Sequence, residues 1–144
     1  MAHKIRSRLW LAALAIGLAG CTTLQNGPDR IFGTWGGAHI GLDFEGGLAD
    51  VRFDCASGTI DDPVYPAADG SYSAKGTYRT GTAGPIKVGQ FFKSQGALFA
   101  GRAPKRPAKD GPRTMTLSVA LEDGTTLGPF TLSEGAPPQL TRCA

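Results

Sequence analysis

From residue 31 onward, apolar and polar residues alternate with a period of two, the pattern of half-buried strands. In residues 35–45, Ala38, Ile40, Leu42 and Phe44 fall on one side, and His39, Gly41, Asp43 and Glu45 on the other. This pattern predicts one strand. Gly46-Gly47 is a turn signal, and residues 48–56 alternate again, with Val51, Phe53 and Cys55 opposite Asp50, Arg52 and Asp54. The two runs predict a β-hairpin. Two prolines in residues 61–70 predict a loop or irregular edge. Further strands are predicted over residues 71–80, 86–92, 97–103 and 114–121, the last with Met115, Leu117, Val119 and Leu121 in register. Asp123-Gly124 turns the chain into residues 126–132, where Pro129 predicts an edge or bulged strand, and residues 139–143 form a short closing strand. No stretch carries a sustained helical period. Short strands at this spacing predict an all-β domain: a small antiparallel β-barrel of about seven or eight strands, with a β-sandwich as the alternative.

Residues ahead of the domain read differently. Lys4, Arg6 and Arg8 precede an apolar run over residues 9–19 that ends in Leu18-Ala19-Gly20-Cys21. A run of about 11 residues falls short of the roughly 20 that a membrane-spanning helix needs, and it suits a secretory leader. The segment resembles the lipobox of bacterial lipoproteins. That resemblance implies cleavage before Cys21, a diacylglycerol thioether on its sulfur and an acyl group on its amine, which together anchor a chain stably. With Thr22 rather than aspartate after the cysteine, it implies the outer membrane, facing the periplasm. The expected organisation is a leader over residues 1–20, a lipidated tether over 21–30 and one barrel domain over 31–144.

Removing the leader changes the charge. The whole chain has 15 basic and 12 acidic residues. Three of the bases lie in the leader, so the remainder is near neutral and gives no support to nucleic-acid binding. With 21 glycines and 10 prolines, yet apolar residues in regular short runs, the chain fits a turn-rich β domain better than disorder. Beyond Cys21 only Cys55 and Cys143 remain, and in an oxidising compartment they have one intramolecular pairing open to them; two separate thiols are the alternative.

Gly33-Thr34-Trp35 is similar to the Gly-x-Trp signature of lipocalin-like (calycin) barrels. The resemblance implies a late arginine packed over Trp35, a place Arg142 could take. The shortness of the domain favours a barrel filled by side chains. Residues 35–39 and 53–60 also resemble segments of small bacterial envelope proteins with no assigned activity.

Candidate chemistry is sparse. His39 could serve as a base or ligand with Asp43 and Glu45, but such residues spread along about 20 Å of strand, and a surface or rim histidine is the plainer reading. Asp54, Asp61 and Asp62 crowd near Cys55 as turn and loop acids. No nucleophile elbow, phosphate-binding glycine pattern or metal-ligand spacing occurs, so no catalytic residue, metal or cofactor is assigned. Arg102, Lys105, Arg106, Lys109 and Arg113 share a proline-rich loop that could meet anionic lipid or an acidic envelope partner. Together with His39 they are the candidate binding residues. The leading expectation is a non-enzymatic, lipid-anchored barrel that binds an envelope partner or ligand, inhibitor-like in shape. A purely structural envelope lipoprotein comes second, and a small hydrolase third.

Overall fold

A computed structural model describes residues 30–81, 93–103 and 111–143. Eight strands follow in order: β1 (Gly33–Gly37), β2 (Ile40–Glu45), β3 (Leu48–Phe53), β4 (Ala56–Ile60), β5 (Ser71–Thr80), β6 (Ser94–Arg102), β7 (Thr114–Leu121) and β8 (Thr126–Glu134). Each pairs antiparallel with the next, and β8 returns to β1 through Trp35↔Glu134, Gly36↔Ser133 and Gly37↔Leu132. The sheet is a closed barrel, which leaves no open strand edge.

Inward positions fill the interior. Leu42, Val51, Ile60, Phe99, Leu117, Val119 and Leu132 are all buried and belong to one core. Glycines make room for the larger rings. Phe99 lies across Gly58 and Gly76, where a Cβ would meet the Thr77 and Thr59 carbonyl oxygens, and the Tyr72 hydroxyl lies over Gly101 and donates to the Thr116 carbonyl at 2.9 Å. Burial raises the Tyr72 phenol well above its ordinary range.

Several sequence expectations are corrected. Residues 35–45 are two strands, because the chain reverses at Ala38-His39; His39 adopts φ 68°, and Ala38 is exposed rather than inward. The run over 48–56 ends at Phe53, and a turn at Asp54-Cys55 puts Cys55 at the surface. The strand β4 was not foreseen, since Ser57, Gly58 and Thr59 give it little apolar contrast. Around Pro129 the β7–β8 register shifts between Leu117 and Val119, so β8 is the irregular strand its proline suggests, but in a closed wall rather than at an edge. Residues 139–143 do not form a strand; Gln139 makes one parallel bridge to Ala38. The run expected over 86–92 lies outside the described residues.

The two barrel ends differ. At the end where β1 begins, Ile31 N–H donates to the Val64 carbonyl (3.0 Å), and the Trp35 indole donates to the Phe32 carbonyl (3.1 Å). Buried Arg113 closes this end. Its guanidinium carbon lies 5.3 Å from the Trp35 ring centre and 5.9 Å from that of Phe32, and its nitrogens fork onto Glu134 at 2.9 and 3.1 Å. The arginine over Trp35 is thus Arg113, whereas Arg142 is exposed. At the opposite end stand the β1–β2 and β3–β4 turns and the Cys55–Cys143 disulfide.

Candidate binding surface

Outward-facing positions on β2–β6 line up through the strand register. One row runs Asp43, Asp50, Thr59 and Thr77, each directly opposite the next. A second row, two residues along, runs Arg52, Ser57, Arg79 and Ser94. Together they line a half-open groove of about 580 Å³ on the barrel's outer wall. A smaller concavity of about 300 Å³ shares Asp43, Asp50 and Thr59 and extends the surface to Glu45, Leu48 and Asp61.

The outward side chains of the two rows are charged or carry hydroxyls. The Thr59 hydroxyl donates to an Asp61 carboxylate oxygen at 2.7 Å and lies 2.9 Å from the Thr77 hydroxyl. With the Thr59 proton committed to the carboxylate, Thr77 donates to Thr59. Asp43 and Asp50 face each other across β2 and β3, an arrangement that like charges disfavour. Arg52 stands in the adjacent row and supplies opposite charge within the same groove. Carboxylates, guanidinium groups and hydroxyls set side by side can bind a ligand bearing both charges. Among the described residues, the lining holds no histidine or cysteine and so no soft metal ligand. Among the described residues, no cluster of three histidine, cysteine or acidic side chains could hold a metal ion.

His39 does not meet Asp43 or Glu45. It sits in the β1–β2 turn, where strand parity no longer applies, and its Nδ1 lies 2.6 Å from Asp54 Oδ2. The other Asp54 oxygen accepts the Thr141 N–H at 2.7 Å. That amide bond, with a smaller contribution from His39, holds the Asp54 carboxyl below the usual carboxylate range. The His39 side chain is 61% exposed, and the pair works as a rim contact. Asp54 and Asp61 are not neighbours either: β4 runs between them and carries Asp61 toward the far end of the barrel.

The basic cluster is divided. Arg102 is exposed at the end of β6, and its charge helps hold Asp69 low, after the larger effect of the Ser71 hydroxyl and amide bonds. Arg113 is buried, with its guanidinium over the Phe32 and Trp35 rings. Lys105, Arg106 and Lys109 lie outside the described residues, as does Cys21. His39 and Arg102 stand at opposite barrel ends, so they do not form one site.

The groove residues Asp43, Asp50, Arg52, Ser57, Thr59, Thr77, Arg79 and Ser94 escaped the sequence reading as a group. The signal for them was the outward parity of five neighbouring strands, which cannot be aligned without β4. No protein-family model, curated protein or solved structure matches the chain.

Proposed function

We propose that this chain is a lipid-anchored bacterial envelope protein whose barrel binds a partner or ligand on its outer wall and catalyses nothing. The observation that carries the binding half is the division of the barrel: apolar side chains pack its interior, while charged and hydroxyl groups line an external groove. A filled barrel has to meet its partner from outside. Arg102 and the basic residues Lys105, Arg106 and Lys109 that follow it provide a second contact region, suited to an acidic partner or anionic lipid. Consecutive strand order, Gly33-Thr34-Trp35 on β1 and a late arginine over the tryptophan support a lipocalin-like relationship.

The anchoring half rests on Leu18-Ala19-Gly20-Cys21. The test is the intact mass of the mature protein, taken with fractionation of a Cys21→Ser variant. A mature chain beginning at an acylated Cys21, with the variant recovered from the soluble periplasmic fraction, is the expected result. An unacylated wild-type chain would overturn the anchoring.

A further inference from the structure

Residues 135–143 lie as a strap along the outside of β1 and β2. Gly36 and Gly41, paired across those strands, form its floor. A Cβ on Gly36 would run into the Ala136 carbonyl and Pro137, and one on Gly41 would stand 2.6 Å from the Pro138 Cβ. Both glycines are buried although they face outward, because the strap covers them.

The strap holds on weakly except at its far end. None of residues 135–143 is fully buried, and Leu140 is exposed. Five hydrogen bonds tie it to the barrel: Gly135 N–H to the Thr34 carbonyl (2.7 Å), Ala136 N–H to the Ser133 carbonyl (3.3 Å), Gln139 N–H to the Gly37 carbonyl (3.0 Å), His39 N–H to the Gln139 carbonyl (2.8 Å) and Thr141 N–H to Asp54 (2.7 Å). Such bonds contribute little net free energy each, and fixing nine residues costs more in conformational entropy than five of them return. The Cys55–Cys143 bond supplies the remaining hold. It joins Cys143, at the end of the strap, to the exposed β3–β4 turn, where a reductant can reach it.

We propose that the Cys55–Cys143 disulfide is a redox lock on this strap: reducing it frees residues 136–143 and uncovers the Gly36–Gly41 track and the Asp54 carboxylate while the barrel stays folded. The reductant is a dithiol. One of its thiolates attacks a sulfur of the disulfide, the S–S bond breaks, and a mixed disulfide forms; the second thiol resolves it. Cys55 and Cys143 gain two electrons and two protons, and the dithiol leaves as a disulfide. The inference stands on residues 33–55 and 135–143 and does not depend on the anchoring or partner proposed above.

Amide hydrogen exchange on the folded protein, oxidised and after treatment with a dithiol, tests it. The expected result is exchange at least tenfold faster at Gln139, Thr141 and His39 on reduction, with Phe99 and Leu117 unchanged. Cys143→Ser should show the same pattern without reductant. Unaltered protection of the strap amides would overturn the proposal. So would loss of protection at Phe99 and Leu117, or failure of Cys143→Ser to fold, since either makes the bond a staple of the whole barrel.

Discussion

Arg113 is the residue on which the closed end turns. Its charge is buried, so it needs the two-point contact with Glu134, and its flat face covers Trp35 and Phe32. Removing one member of a buried, hydrogen-bonded pair costs far more than removing a surface charge. Arg113→Ala should therefore lower the urea-unfolding free energy by about 3 kcal/mol. Arg142→Ala, at an exposed position, should change it by no more than about 0.5 kcal/mol. Equal effects would mean that the cover over Trp35 contributes no stability. The sequence made both arginines candidates for something, but for the wrong things. Arg113 sat in a run of basic residues and looked like part of a solvated loop, whereas Arg142 had the late position that the family signature suggests. Order along the chain does not tell which arginine the fold brings back to the first strand.

At the scale of elements, legibility followed apolar contrast. β5 and β7 match their predicted bounds because Tyr72, Ala74, Met115, Leu117, Val119 and Leu121 alternate with small or polar residues. β4 failed because its inward Gly58 carries no side chain to mark the face. The β1–β2 reversal failed for a different reason. Gly36-Gly37 lies inside β1 rather than at the reversal, Ala38-His39 itself contains no glycine or proline, and the left-handed φ at His39 is uncommon outside glycine, though histidine is among the residues that tolerate it. Inward glycines are also structural requirements, on β5 as on β4. At Gly76 an added Cβ would meet the Thr59 carbonyl and stand 3.0 Å from the Phe99 ring, so β4, β5 or the ring must move. Gly76→Ala should cost about 1–3 kcal/mol in thermal or denaturant unfolding. Gly96→Ala meets only the flexible end of Glu122 and serves as the control, with a change of about 0.5 kcal/mol or less. If both variants unfold alike, the close packing of Phe99 on the β4–β5 glycines does not govern this wall.

For the whole molecule, the eight consecutive antiparallel strands put apolar side chains inside and leave the chemistry outside. The class of fold could be read from the chain because period two and turn spacing are local properties. The groove could not, because Asp43 and Arg79 become neighbours of one surface only through the register of four successive strands. That surface is where binding is proposed, and position 57, exposed on β4 within the groove, reports on it directly. The decisive measurement is site-specific photo-cross-linking in intact cells. A photoreactive residue replaces Ser57, with the same probe at Ala120, exposed on β7 outside the groove lining, as the comparison. Binding through the outer wall predicts a discrete adduct from position 57 that is absent from position 120 and disappears when Arg52→Ser and Asp50→Asn are combined. No adduct from position 57, or equal yields from both positions, would contradict it.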